Sequence, residues 1–78
     1  MKKRSVKVSG HDTSISLEDA FWEALHEVAA RGGLSINALV SEIDEAYEGY
    51  NLSSGIRLYI LHDLQERLDN ALTDNALT

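Results

Sequence analysis

An alternation of polar and aliphatic side chains at Thr13–Leu17 constrains the fold of this chain more than any other feature. Its period of two places Ile15 and Leu17 on one face of a β-strand, and Ser14 and Ser16 on the other. A single strand leaves its backbone donors and acceptors unpaired. If two chains each contribute this strand, the strands pair antiparallel across a two-fold axis. The aliphatic face then covers a helical core, and the serines project outward.

A second alternating patch, Ser5–Ser9, lies upstream and carries Val6 and Val8. The sequence Gly10-His11-Asp12 is typical of a turn. A local hairpin that joins Val6 and Val8 to the serine-rich strand is therefore the alternative to pairing between chains. An isolated two-stranded hairpin is marginal in water and needs an element to pack against.

Three amphipathic helices are predicted after the strand. Ser16 is a candidate N-cap for the first helix, and Gly32-Gly33 ends it. Ser35 is a candidate N-cap for the second helix, and Gly49 is expected to end that helix. The third helix is expected to open at Ser53 or Ser54 and to run to about Asp69. The apolar positions that recur at helical spacing are Phe21, Leu25, Val28 and Ala29, then Ile36, Leu39, Val40, Ile43 and Tyr47, then Ile56, Tyr59, Ile60, Leu64 and Leu68.

A chain of 78 residues without cysteine needs further stabilisation, because a domain of this size buries too little surface by itself. Association with a second copy is the remaining source, so we expect an obligate homodimer. The fold class is mainly α: one short N-terminal strand paired antiparallel with its dimer mate, two core helices, and a third C-terminal helix. The residues expected in the dimer core are Ile15, Leu17, Phe21, Leu25, Leu39 and Ile43.

One domain is expected over residues 1–70, with a basic arm at about residues 1–10. The pentapeptide Asp-Asn-Ala-Leu-Thr ends at residue 73 and is repeated at residues 74–78. Two copies are too few for a repeat protein, so residues 71–78 are expected to form a frayed tail.

The charges of the chain are strongly polarised. Residues 1–17 carry Lys2, Lys3, Arg4 and Lys7 against Asp12, a net of +3, whereas residues 18–78 carry three arginines against twelve acids, a net of −9. Such a chain can turn a basic edge toward a phosphate backbone. The four basic residues of the arm are expected to contact DNA phosphates; the alternative is a solubilising disordered tail.

Other classes of function lack support in the sequence. No nucleophile–base pair or glycine-rich phosphate loop is present, so the chain is not expected to be an enzyme or to hold a cofactor. His11, His26 and His62 are far apart in sequence and do not form a metal-ligand pattern. No apolar stretch has the length of a membrane span or a signal peptide, so a cytoplasmic protein is expected.

The segment TSISLEDAFWEALHEVAARGGLSINALVSEID resembles the ribbon-helix-helix superfamily of repressors and antitoxins. The opening MKKRSVKVSGHDTSISLEDAFW is similar to a small bacterial subfamily with this domain, and the resemblance spans about residues 2–64. It implies that Ser14, Ser16 and Asp12 contact DNA bases. It also implies that the second helix points its N-terminus, with Ser35 and Asn37, at a phosphate, which agrees with the attraction of helix N-termini for anions.

Two features depart from that family. The outermost strand position often holds arginine or lysine in DNA-binding members, and here it holds Asp12, which repels phosphates. The third helix is longer than a minimal member needs. It is expected to enlarge the dimer core, with a partner-binding surface as the alternative.

The function expected from these observations is a homodimer that binds double-stranded DNA through its ribbon, as a transcriptional repressor or autoregulator. The alternative is a ribbon-helix-helix dimer that binds a protein partner, as antitoxins do, with weak DNA binding or none. The acidic body and Asp12 favour the alternative, and the basic arm favours DNA.

Overall fold

The computed structural model describes residues 2–77, with side chains described up to residue 73. Two strands precede three helices, and the two strands form one antiparallel sheet. The elements are β1 (Lys2–Val8), β2 (His11–Leu17), α1 (Asp19–Gly32), α2 (Ile36–Ala46) and α3 (Leu52–Leu77). The predicted mainly helical ribbon-helix-helix architecture is confirmed.

The ribbon differs from the single strand that was expected. β1 pairs with β2 inside the chain, so the local hairpin forms and the basic residues belong to a strand instead of a free arm. The turn lies at Ser9-Gly10, where φ is 50° and 85°. Positive φ at both central residues suits the tight turn that matches the twist of a hairpin. His11 and Asp12, which were expected in the turn, are therefore the first residues of β2.

The hairpin is stable because its inner face packs on the helices. Val6 and Val8 of β1 are buried together with Ile15 and Leu17 of β2. The helices thus provide the packing surface that an isolated hairpin lacks.

Helix α1 begins later than predicted. Ser16 lies in β2, and the N-cap is Glu18, whose side chain makes no capping hydrogen bond. The predicted end is confirmed: Gly33 adopts φ of 67°, and its N–H donates to the carbonyl of Ala30. A left-handed residue at this place is common where a helix ends, and glycine adopts it without strain.

Helix α2 begins as predicted, because the Ser35 hydroxyl accepts a hydrogen bond from the Ala38 amide at 3.1 Å. It ends at Ala46, three residues before Gly49. Helix α3 opens at Leu52 and not at the serines, because the Asn51 side chain accepts from the Ser54 amide at 2.9 Å.

Helix α3 also extends beyond the predicted end at Asp69. It continues to Leu77, so residues 71–77 prolong the helix instead of forming a tail. Alanine and leucine in this segment favour helix, and neither glycine nor proline interrupts it. The side chains of the second pentapeptide and residue 78 itself lie outside the described part of the chain.

The hydrophobic core is assembled within one chain. Five of the six residues expected in a dimer core are at most 3% exposed in the single chain, and Phe21 is partly buried. These side chains therefore leave water within one chain, and their place in a dimer core stays a prediction. The other buried core residues are both valines of β1, Ala29 of α1, Val40 of α2, and Ile56 and Ile60 of α3. The buried members of the predicted set are Ile15, Leu17, Leu25, Leu39 and Ile43.

Candidate nucleic-acid interface

The solvent side of the hairpin gathers six polar or charged side chains, which we call the outward face. Burial alternates along both strands, and the register places outward residues directly opposite each other. The opposed pairs are Lys3 and Ser16, Ser5 and Ser14, and Lys7 and Asp12. The structure thus brings together five of the residues predicted to contact DNA.

Ser5 is the member of the outward face that the sequence reasoning missed. It is exposed and lies opposite Ser14 in the register. The alternation from Ser5 to Ser9 was visible in the sequence. This alternation places Ser5 on the outward face only if the segment forms a strand. That depends on its contact with α2, which is distant in the sequence.

The free edge of β1 is covered at its turn end by helix α2. The Lys7 amide donates to the Asn37 side-chain oxygen at 3.0 Å, and the Ser9 amide donates to the Ser41 hydroxyl at 3.1 Å. Asn37 and Ser41 are four residues apart, so they lie on the same face of α2. Both take up backbone donors that would otherwise face water or another strand.

The free edge of β2 is open. Since the Lys7 amide points away from β2, Lys7 and Asp12 form a non-hydrogen-bonded pair of the ladder. The N–H and C=O groups of Asp12, and by alternation of Ser14 and Ser16, then point away from β1. Among the residues that the structure describes, no hydrogen bond takes up these three amides. The hairpin can therefore accept a further strand along the whole of this edge, whereas α2 lies beside the turn end of β1.

Arg4 does not belong to the outward face, contrary to its predicted contact with phosphate. Its guanidinium lies 3.0 Å from the Asp19 carboxylate and 4.6 Å from the centre of the Trp22 ring. The side chain is only 26% exposed, and its Nε atom is buried without a hydrogen-bond partner among the residues that the structure describes. Arg4 fastens β1 to the start of α1. Lys2 lies opposite Leu17 at the open end of the hairpin, where it is exposed but on the inner side of the register.

Asp12, the departure from the family pattern, has a cation across the ladder. Its Oδ1 atom lies 4.0 Å from the Lys7 ammonium group, and both side chains are largely exposed. Directly opposed charges of unlike sign attract each other in a sheet. The pair lowers the repulsion that an isolated carboxylate would exert on a phosphate.

The N-terminus of α2 lies beside the hairpin, as the hydrogen bond from Lys7 to Asn37 requires. Ser35 is committed to capping the Ala38 amide, and the side-chain oxygen of Asn37 is committed to the strand. The predicted phosphate role of these two residues therefore depends on their backbone amides and the helix dipole, since the first-turn amides of a helix lack intrahelical partners.

A charged pair joins the end of the hairpin to α3. The Arg57 guanidinium lies 2.8 Å from the Glu18 carboxylate and 5.9 Å from the centre of the Phe21 ring. Two hydrogen bonds lower the pKa of Glu18 below its ordinary value of 4.5. The larger effect comes from the Glu18 backbone, and the next from Arg57. The pair fixes the junction between β2 and α1 relative to the third helix.

The helices also form a groove on the surface of the molecule. This groove between α2 and α3 is lined by Tyr47, Tyr59, His62, Asp63 and Glu66, among others. Burial raises the pKa of Tyr59, and the nearby carboxylates add to that rise. The described residues hold no group of three or more histidine, cysteine or acidic side chains placed to bind a metal ion.

The comparisons with known proteins identify a domain. The family model described as a ribbon-helix-helix domain matches residues 1–64, from the hairpin to the middle of α3. No curated protein and no solved structure matches the chain. In the part of the chain that the structure describes, no helix combines the length and the apolar character needed to cross a membrane.

Proposed function

We propose that this chain, which belongs to the ribbon-helix-helix domain family, is a DNA-binding homodimer that acts as a transcriptional repressor or autoregulator in the cytoplasm. Members of the family are generally DNA-binding or regulatory proteins, and they typically dimerise. The observation that carries the proposal is the outward face beside the open edge of β2. A catalytic role is not part of the proposal.

The dimer forms through the open edge of β2. Two copies of β2 pair antiparallel across a two-fold axis, and the outer amides of Asp12, Ser14 and Ser16 find carbonyl partners on the second copy. The result is a sheet of four strands in which the two β2 strands are central. The β2 edge is the one that α2 leaves uncovered, because Asn37 and Ser41 occupy the turn end of the β1 edge.

The two central strands then read the major groove of DNA. A two-stranded ribbon fits this groove, and the hydroxyls of Ser14 and Ser16 can donate to base edges or accept from them. Each β1 strand lies about 4.8 Å further from the two-fold axis, which moves Lys3 and Lys7 toward the phosphates at the groove edges. The serines supply sequence preference, and the lysines supply affinity.

The basic residues offer a matched test, because the structure divides them between two faces. Lys3→Gln and Lys7→Gln remove charges from the outward face, whereas Arg4→Gln removes the same charge from the inner face. We expect each lysine change to weaken binding to all duplexes and to lower the slope of log affinity against log salt by about 1. Arg4→Gln should leave that slope unchanged once the protein is shown to be folded. Equal slopes for Lys7→Gln and Arg4→Gln would contradict the placement of Lys7 on a DNA-contacting outward face and of Arg4 on the inner face.

Sequence readout is tested by binding selection from randomised duplexes at about 50 and 200 mM salt, a range over which phosphate contacts lose much of their strength. Enrichment of a palindrome by the wild type, with a changed preference in Ser14→Ala and Ser16→Ala, supports the proposal. A uniform loss on every duplex for the serine variants would refute their role as base contacts.

A second candidate function is a protein-interaction module, and the net charge of −9 on residues 18–78 favours it. In this case the open edge still makes a dimer, but the acidic body binds a basic protein. Failure to bind duplex DNA at either salt concentration, together with retention of a basic partner, would establish this function instead.

A further inference from the structure

The groove between α2 and α3 combines aromatic rings and carboxylates that the function proposed above does not use. Its volume is about 410 Å³, within the range of small-ligand sites in proteins. The rings come from both helices, and the carboxylates come from α3. The residues that line it are Ala46, Tyr47, Tyr59, His62, Asp63 and Glu66. None of these six belongs to the hairpin, so the groove is separate from the outward face.

The two tyrosines of the groove are held in place by the core. Tyr47 and Tyr59 are half-buried and pack against the buried core residues. The Tyr47 ring meets the His62 ring edge to face, with the ring centres 6.3 Å apart. Helix α3 approaches so closely that a side chain at Gly55 would come within 3.2 Å of Tyr47. The rings are therefore in place before a ligand binds, and a flat cation can lie against them with little loss of side-chain freedom.

The electrostatic potential in the groove favours a cation. Burial raises the pKa of Tyr59, and three nearby carboxylates raise it further: those of Asp63, Glu42 and Glu66. Helix α2 ends at Ala46, and its last turn holds no basic residue. The C-terminal carbonyls of a helix carry a partial negative charge, which adds to that of the carboxylates.

Asp63 is already paired within the chain. Its Oδ2 atom lies 3.2 Å from the Arg31 guanidinium and 3.1 Å from that of Arg67. In a helix, Arg67 lies about 100° around the axis from Glu66, on the far side of Asp63. Among the residues that the structure describes, no basic side chain forms an ion pair with Glu66. Glu66 is therefore the carboxylate of the groove that can bind a cation from outside.

The chain itself shows twice which cation suits a ring beside a carboxylate. The Arg4 guanidinium lies 4.6 Å from the centre of the Trp22 ring and 3.0 Å from the Asp19 carboxylate. Arg57 makes the same two kinds of contact, with a phenylalanine ring at 5.9 Å and a glutamate at 2.8 Å. A planar guanidinium can stack on a ring while its N–H groups donate to a carboxylate, whereas an ammonium group is a compact point charge.

We propose that the groove binds a guanidinium group supplied from outside the chain, with Glu66 as its carboxylate and the rings of Tyr47 and Tyr59 as the aromatic surface against which it lies. The group belongs to a free small molecule or to an arginine side chain of another protein, and its chemistry in the groove is the same in both. The site does not depend on DNA binding. Loss of the proposed DNA-binding function would leave it intact.

The first test follows the tyrosine ring resonances in NMR spectra of the whole chain. Acetyl-arginine amide should shift the resonances of Tyr47 and Tyr59 in a saturable manner. Acetyl-citrulline amide has nearly the same shape without the charge, so it should bind at least about 10-fold more weakly. Equal binding of these two compounds would overturn the site. Acetyl-lysine amide keeps the charge without the planar group, and its binding with equal affinity would overturn the choice of guanidinium.

Two glutamate variants provide a matched control. Glu66→Gln removes a charge from the groove, and Glu23→Gln makes the same change at an exposed position of α1. Glu66 is exposed, so the fold should survive, and circular dichroism checks this. We expect Glu66→Gln to weaken binding of acetyl-arginine amide at least about 5-fold and Glu23→Gln to leave it unchanged. Equal losses would show an effect of net charge alone and would overturn the site.

Agmatine distinguishes the two sources of the guanidinium group. It carries this group on a short alkyl chain and lacks the amide groups that flank an arginine in a protein. Tighter binding of agmatine than of acetyl-arginine amide would support a free small molecule as the ligand. Equal or tighter binding of acetyl-arginine amide would support an arginine side chain of another protein. Failure of both compounds to shift the tyrosine resonances at millimolar concentrations would overturn the proposal.

Discussion

The two edges of the hairpin have similar composition, but helix α2 covers one of them, at the turn end of β1. At the β1 edge, Asn37 and Ser41 of α2 accept hydrogen bonds from the backbone amides of Lys7 and Ser9. At the β2 edge, the described residues offer no such acceptors to the outer amides. Both strands alternate polar and apolar residues, so the difference arises from the helix that lies beside one strand. It shows that a side chain remote in sequence decides where a sheet can grow.

The largest effect is expected from proline at the open edge. Ser14→Pro removes an outer amide that the single chain does not use, so the free energy of unfolding should change by no more than about 0.5 kcal/mol. Strand pairing between copies loses a hydrogen bond at its centre. DNA affinity should therefore fall on the order of 100-fold or more, and the Ser16 amide should lose its protection from hydrogen exchange.

The reciprocal variant is Lys7→Pro, which removes the amide held by Asn37. It should lower the free energy of unfolding by at least about 1 kcal/mol. If Ser14→Pro destabilised the chain as much as Lys7→Pro does, the assignment of closed and open edges would be wrong.

A smaller effect is expected when the closed edge is opened without changing the strand. Asn37→Ala leaves the Lys7 amide without its acceptor and should cost about 1 kcal/mol in urea unfolding, with an unchanged dependence on urea concentration. Asn70→Ala is the control, because it makes the same change on an exposed face of α3. A stability loss shared by both variants would point to a general effect of asparagine in helices and not to the edge.

The smallest effect concerns the end of β2, where Glu18 meets Arg57. The pKa of Glu18 is lowered in the folded chain, so its contribution to stability is present above the ordinary value of 4.5 and is lost as the pH falls through the folded-state value. Glu18→Gln should therefore reduce the decline in urea midpoint between pH 6 and pH 3. An unchanged pH profile would mean that the contact with Arg57 adds nothing to stability.

Local signals in the sequence predicted much of this fold. The Ser35 cap, the end of α1 at Gly33 and the apolar stripes of α1 and α2 all depend on residues close together in the chain, and all three are confirmed. The predicted stripe of α3 is buried only in its first half, because Leu64 and Leu68 are exposed. The outward position of Ser14 and Ser16 followed from alternation alone.

The errors lie where distant residues decide. Val6 and Val8 belong to a hairpin because helices cover them, and Arg4 turns inward because Asp19 and Trp22 stand beside it. Charge counting treated Arg4 and Lys7 alike, although strand alternation places them on opposite faces. The closure of the β1 edge by Asn37 had no local signal at all.

The hydrogen bond between Lys7 and Asn37 has a consequence for the order of folding. It joins residues 30 apart, and the bond between Ser9 and Ser41 joins residues 32 apart. During synthesis from the N-terminus, the hairpin is made first, yet the helix that completes it is made later. Contacts of long sequence separation form late because their loop entropy must be overcome first. The strand that carries the outward lysines is therefore secured only after the segment around Ser41 has left the ribosome and folded.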